Sequence, residues 1–448
     1  MKRENLLLVC LGGLLEISIL AVYSFTGLNR TSTLLESFFA IPFLLYLGIV
    51  IWITRSKSGD FQTSTIIVIL VSVVLYLTFL FQTPTLSGDI YRYIWDGKLL
   101  GNGISPYEYA PYANQLAYLR DANWQLVQNK DIISPYPPLL EFLNALTYVV
   151  SPTVTAFKAT TILGSLGIVV VLPFFLKKLN FDPRLAILFA WNPLFVLEFG
   201  SSGHDDTIAL FFVLLSMYFL VKNQRIPAAG MMALGVVSKL FPLLIVPIFL
   251  KRWGAKATAV FAVVVAAFYV PFLVLGGNIL NPISVYLFTS TPLFNGGVFS
   301  LLQNLFSSLG GADAVSFSRV VEYAMFAAVL IWMLWMILEK PHNDLQLMRC
   351  AGILITVYIA FSSTVQPWYV AWVFVPFLVM MPTWSWIIFS GTIFLTYLTF
   401  AQQPISPGYW AEIPWVKFVE FAQLYGMMAF EILSRRYFAL HGIVKKEA

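Results

Sequence analysis

Asp89, Arg92 and Asp96 fall within one short segment, Ser87-Gly88-Asp89-Ile90-Tyr91-Arg92-Tyr93-Ile94-Trp95-Asp96-Gly97. Two carboxylates, a guanidinium and three aromatic rings stand directly after a long apolar run, where a chain leaves a membrane. A carboxylate in a partly dry cleft takes a proton from a hydroxyl as a general base. A guanidinium holds a phosphate or orients the carboxylate. Ser87, Gly88 and Asp89 read as a helix start with Asp89 as the N-cap. A helix over 90–98 then puts Asp89, Arg92 and Asp96 on one face, at i, i+3 and i+7. Asp89 is the candidate base. Asp96 is the weaker candidate, being equally a structural partner of Arg92, and a capping Asp with a local salt bridge is the competing explanation for the segment.

Gly203-His204-Asp205-Asp206 is a second constellation, at the mouth of an apolar run. A histidine and two adjacent acids there offer contacts to a sugar or a phosphate; helix capping is the alternative. One histidine and two adjacent acids are an incomplete ligand set for a metal, which Asp89 would have to complete, so no metal site is assigned. Lys239 lies in the middle of an apolar stretch, and an ionisable group at membrane depth is a functional candidate by default. It can pair with a lipid phosphate or a carboxylate, or snorkel to the surface. Tyr107 follows the turn Gly101-Asn102-Gly103-Ile104-Ser105-Pro106 and offers a stacking face for a sugar or lipid head. Gln366, with a donor and an acceptor, and Trp368, with an aromatic face, sit in Gln366-Pro367-Trp368-Tyr369. Asn295, Glu412 and their neighbours are further polar groups for which packing is the simpler role. No P-loop, GxGxxG, HExxH or paired CxxC occurs, so ATP-driven transport and zinc hydrolysis lack a motif. No cofactor is expected.

These groups need elements to hold them, and composition says which. Hydrophobic residues make up 59% of the chain and charged residues 11%, which places it among integral membrane proteins. Apolar runs recur at 6–25, 38–53, 64–81, 154–176, 185–199, 207–221, 226–250, 257–275, 320–338, 350–363, 368–381, 384–399 and 415–433. In lipid such runs must be helical. The first, following Lys2 and Arg3, reads as a retained anchor rather than a cleaved signal. Cys10 and Cys350 read as buried apolar residues rather than a disulfide. The net charge of +5 is explained by basic residues on one membrane face and calls for no nucleic-acid partner.

Basic residues mark the cytoplasmic ends: Lys2 and Arg3, Arg55 and Lys57, Lys177, Lys178 and Arg184, Lys222 and Arg225. The run 226–250 has basic residues at both ends, with Lys251, Arg252 and Lys256 following it, and holds Lys239 and Pro242 near its middle. A hairpin that enters from the cytoplasm and returns accommodates all of these; a Pro-kinked single span is the alternative. The expected fold is therefore all-α. It is a polytopic membrane protein of about twelve transmembrane helices plus a re-entrant hairpin. Both termini, the latter carrying Arg435, Arg436, Lys445 and Lys446, are cytoplasmic, and the polar candidates gather on the external face of a cell membrane. The large external first loop, 82–153, carries prolines and aromatics and should form short interfacial helices. No internal repeat and no separate soluble domain is visible.

The segments Gly88 to Gly97, Gly103-Ile104-Ser105-Pro106-Tyr107, Gly203-His204-Asp205-Asp206, Lys239-Leu240-Phe241-Pro242 and Gln366-Pro367-Trp368-Tyr369 together resemble the glycosyltransferase C superfamily. Within it they are most similar to polyprenol-phosphate-mannose-dependent mannosyltransferases, and distantly to the catalytic subunit of GPI mannosyltransferase I. The resemblance implies one glycosyltransferase C-type domain over 1–448. It also implies a catalytic acid in the first large external loop, at Asp89, and a polyprenyl-phosphate sugar donor, most simply mannose. A glycan or glycolipid acceptor would receive the sugar with inversion at the anomeric carbon. Many relatives carry two adjacent acids where this chain has Asp89-Ile90, so the second acid is missing or comes from Asp96 or elsewhere. An oxocarbenium-like transition state needs a base for the acceptor hydroxyl and positive charge on the departing phosphate; Arg92, His204 and Lys239 are the candidates for the latter. Transfer of glucose or an arabinose is the runner-up. A flippase for lipid-linked saccharides is the alternative from another class; it would place polar residues along a path on both sides of the midplane, whereas here they cluster on one.

Overall fold

The structure, a computed structural model, describes residues 3–31, 34–56, 60–287, 294–309, 313–339, 343–378, 383–402 and 411–440. Lys2, Lys57, Lys445 and Lys446 lie outside these residues, as do the side chains of Arg435 and Arg436. The described chain is helical, and its only β pairing is an isolated bridge between Phe294 and Thr364. Among the described residues, seven helices are long and apolar enough to cross a membrane: Arg3–Thr26, Leu35–Arg55, Val154–Lys178, Ala255–Leu275, Ala314–Glu339, Asp344–Phe361 and Trp384–Ala401. Pro193–Ser201 and Asp206–Val221 would together make an eighth, but they are bent by 118° at the break between them.

Counting apolar runs leads to about twelve crossings; seven or eight helices meet that standard. The difference comes from breaks that hydropathy does not register. The helix Phe61–Leu77 has 17 residues. The run 368–381 contains Val375 in an extended conformation, φ −114° and ψ 121°, inside a helical segment. The run 185–199 is divided into short turns, two of which start at prolines, Pro183 and Pro193.

The run 226–250 is broken as its composition requires. Arg225–Val236 is helical, Val237 to Leu240 turn, and Phe241–Ile245 and Val246–Trp253 lead back. Its two ends meet: Arg252 donates to the Asn223 side chain at 3.1 Å. The tip is tied elsewhere, the Leu139 amide donating to the Val237 carbonyl at 2.8 Å.

The segment 82–153 is more than a set of helices lying on a surface. Asp89–Gly101 packs on Pro138–Val150 so closely that a Cβ on Gly97 would stand 2.4 Å from the Asn144 carbonyl oxygen. Ile90, Tyr93, Trp95, Leu99, Leu116 and Leu140 form a small apolar core of their own there. This core, separate from the main one between the long helices, fixes the Asp89 helix against the rest of the molecule.

Candidate active site

Asp89 is the first residue of its helix, with Gly88 at the cap position and no side-chain cap. Its carboxylate therefore does not cap, contrary to the expectation from the sequence. The Ser87 hydroxyl accepts the Asp89 amide at 3.3 Å instead. Freed from capping, the Asp89 carboxylate extends to His204, with Oδ2 3.5 Å from Nδ1. The other ring nitrogen of His204 lies 3.4 Å from Glu198 Oε2, and the Tyr397 hydroxyl donates to Glu198 Oε1 at 2.7 Å. Trp368 stacks on the His204 ring at 3.6 Å between centroids and 18° between planes. The side chain of Asp89 is 29% exposed, whereas those of His204 and Glu198 are 1% and 0%. Asp89 is thus at the mouth of the cluster and the others form its floor.

The backbone that places His204 is irregular. Val196–Ser201 is a π turn, a form frequent at functional sites. Gly203 follows at φ +76°, and a Cβ there would stand 2.9 Å from Ile90 Cδ1 and 3.1 Å from Lys158 Cγ. Only glycine fits that conformation and that space. The His204 amide closes the turn on the Glu198 carbonyl at 3.1 Å.

Behind this lies a second layer. Lys239, from the hairpin tip, sets Nζ 2.7 Å from Asp205 Oδ1 and 3.5 Å from Asp206 Oδ2, and 4.9 Å from the centre of the Tyr136 ring. The Trp372 indole donates to Asp206 Oδ1 at 2.7 Å; its ring is stacked between Phe241 at 4.4 Å and Tyr369 at 4.3 Å. Asp205 occupies the N-cap position of the Asp206–Val221 helix without capping it. Both acids are buried, and a buried carboxylate needs such partners.

Three expectations change with this geometry. Arg92 turns to Asp96 and not to Asp89. Its Nε lies 2.9 Å from both oxygens of Asp96, one turn on, and its NH1 donates to the Ile132 and Asn129 carbonyls at 3.0 and 3.3 Å. Asp96 is fully enclosed, so it serves Arg92 and is closed to a substrate. Burial pushes its carboxyl above the ordinary range although the Arg92 guanidinium pulls it down. Tyr107 is 1% exposed: its hydroxyl donates to the Tyr136 carbonyl at 2.6 Å and its ring packs on Phe272 at 4.9 Å. No face of it is open for stacking.

The structure thus brings Asp89, His204, Asp205, Asp206, Lys239 and Trp368 together. It sets Gln366, half-buried, at the start of the turn Pro367–Val370 that carries Trp368. Glu198, Tyr397, Trp372 and Arg30 were missed in the sequence. Arg30, half-buried on the loop after the first helix, lies within electrostatic reach of Asp89 and Tyr397. Glu198 is an acid inside an apolar run, and the rule that singled out Lys239 would have found it. Tyr397 and Trp372 carry no such mark. Among the described residues no three His, Cys, Asp or Glu side chains are grouped to hold a metal ion.

Helices long and apolar enough to cross a membrane thus carry a cluster of carboxylates, a histidine and aromatic faces. Residues 19–255 match the family described as Alpha-(1->6)-mannopyranosyltransferase, N-terminal domain, and residues 295–430 match the MptB C-terminal domain. The chain belongs to this mannosyltransferase family. No curated protein matches it. Both matched segments build the cluster: Asp89, Glu198, His204, Asp205, Asp206 and Lys239 come from the first, and Trp368, Trp372 and Tyr397 from the second.

Proposed function

We propose that the chain transfers mannose from a polyprenyl-phosphate donor to a hydroxyl of a glycan or glycolipid acceptor, forming an α-(1→6) linkage with inversion at the anomeric carbon. The observation that carries this is the position of Asp89. Of the carboxylates gathered around His204 it alone is open to solvent, 29% exposed against 3% or less for Glu198, Asp205 and Asp206. Asp89 takes the acceptor proton as the acceptor oxygen bonds to C1 and the bond from C1 to the phosphate oxygen breaks. The electron pair leaves with the phosphate. Arg30, within electrostatic reach of Asp89, supplies positive charge at the mouth. Lys239 and Arg92 are committed to carboxylates and shape the floor. Trp368 and Gln366 line the side that the second matched segment contributes.

A lipid donor suits a site carried on membrane-spanning helices, since the prenyl chain stays in hydrocarbon. In this reading the protein is multi-pass in a cell membrane, with both termini cytoplasmic and the cleft external. The run Asp206–Val221 begins at the cleft and ends about 24 Å away, at 1.5 Å per residue, beside Lys222 and Arg225, as the charge rule requires of a cytoplasmic end. The test is turnover by purified protein in detergent. Polyprenyl-phosphate mannose and a mannoside acceptor should yield free polyprenyl phosphate and a product whose new anomeric proton has the α configuration by NMR. Transfer from a nucleotide sugar with the lipid donor inert would overturn the proposal.

A further inference from the structure

We infer that Glu198 is a positioning residue for the transfer, holding the His204 ring with Nδ1 turned to Asp89, and that Tyr397 holds Glu198 in turn. This rests on the reading of Asp89 as the base. Glu198 is wholly enclosed, on the π turn Val196–Ser201. Its two oxygens are divided between two partners: Oε1 accepts from the Tyr397 hydroxyl at 2.7 Å and Oε2 faces His204 Nε2 at 3.4 Å. The imidazole is held by its edges and by its face. Glu198 and Asp89 flank its two nitrogens, and Trp368 covers the ring at 3.6 Å. In the tautomer with its proton on Nε2, that nitrogen faces Glu198 and the bare Nδ1 faces Asp89. When Asp89 receives the acceptor proton, the new carboxylic acid can donate to that nitrogen, so the base is strengthened at the moment of bond formation. The proton stays on the Asp89–His204 pair until product leaves.

A carboxylate with no contact to solvent is costly to enclose, and a neutral amide would accept the Tyr397 hydrogen bond equally well. What the acid adds is charge beside His204. The other groups that bear on the ring are Asp89, Asp205 and Asp206. The nearby cations are Lys239, held by Asp205 and Asp206; Arg30, beside Asp89 and Tyr397; and Lys158, behind Gly203 and bonded to the Phe79 and Gln82 carbonyls. Among the described residues, Glu198 is the charged group at Nε2 itself.

The test compares Glu198→Gln and Tyr397→Phe with the parent enzyme across a pH series. Glu198→Gln should lower kcat on the order of tenfold or more and leave the donor KM within about twofold. It should also move the acid limb of kcat/KM to lower pH, because Glu198 is among the charges that favour the His204 imidazolium and His204 must be neutral to accept from Asp89. Tyr397→Phe should shift kcat in the same direction by less, without moving the limb. A Glu198→Gln enzyme with parental kcat and limb overturns the inference, as does one whose losses are confined to melting temperature. Asp89→Asn separates the two levels. If it is inactive while Glu198→Gln is normal, only the positioning role fails; if Asp89→Asn turns over normally, the base assignment beneath it fails.

Discussion

Lys239 and Asp205 meet at 2.7 Å, joining the tip of a broken helix to the start of an unbroken one. Lys239 lies where Arg225–Val236 stops, at the depth where Asp206–Val221 begins. The hairpin therefore has a structural function: it delivers a cation to two adjacent carboxylates that would otherwise be enclosed without a counter-charge. With Asp205 and Asp206 held in this way, the acid at the mouth of the cleft is left to Asp89.

Removing that cation should be costly. Lys239→Met leaves two buried acids facing each other, and breaking a buried pair by deleting one partner costs about 3–5 kcal/mol. A marked fall in melting temperature in detergent is expected. Adding Asp205→Asn should return part of it, and a strictly additive double variant would show that the two residues are not coupled.

The hairpin brings its two ends together, and the charge rule assigns both to the cytoplasm. Asn223→Cys and Ala255→Cys, both exposed positions flanking it, should react only with thiol reagents admitted to the cytoplasm. Trp253, at the end of the hairpin itself, is buried and closed to such reagents. A single-span alternative places one of the two cysteines outside, where an impermeant reagent would label it.

Glu141 gives a pH dependence of known sign. It is enclosed in the 82–153 segment, where its carboxylate accepts from the Ser134 hydroxyl. Burial first, and the nearby Asp96 second, push its carboxyl well above the ordinary glutamate value of 4.5. Above 4.5 the unfolded chain releases a proton that the folded chain keeps. Stability should therefore be fully present below that pH and fall as pH rises toward the folded value, by up to about 1.4 kcal/mol per pH unit. Asp96, raised in the same direction, adds to the slope. Glu141→Gln keeps an acceptor for Ser134 and should flatten the dependence; melting temperatures from pH 5 to 8 that fall as steeply in the variant would contradict this.

Much of the site is legible because charge is conspicuous in so apolar a chain. His204, Asp205, Asp206 and Lys239 stand out singly, and the structure joins them. The break at Lys239 and Pro242 follows from residue types that a helix in lipid does not accommodate. Other features depend on contacts far apart in sequence. Helical spacing alone sets Arg92 beside Asp89, but Arg92 bonds the carbonyls of Asn129 and Ile132, which no local pattern reveals. Tyr107 is closed by Phe272 and by Gly277, where a Cβ would lie 2.4 Å from the Tyr107 carbonyl carbon. The partnership of Glu198 with Tyr397 spans 199 positions. Hydropathy measures composition and not continuity, so the π turn at Val196–Ser201 and the extended Val375 interrupt runs whose composition is unbroken.

The most direct measurement is the rate at which Asp89→Asn releases polyprenyl phosphate from polyprenyl-phosphate mannose in the presence of acceptor. The side chain is the same size, lies partly open at the cleft mouth and caps nothing, so the variant should fold and melt like the parent. Turnover should fall by about 100-fold or more. A well-folded Asp89→Asn enzyme with parental turnover would remove the base from the mechanism.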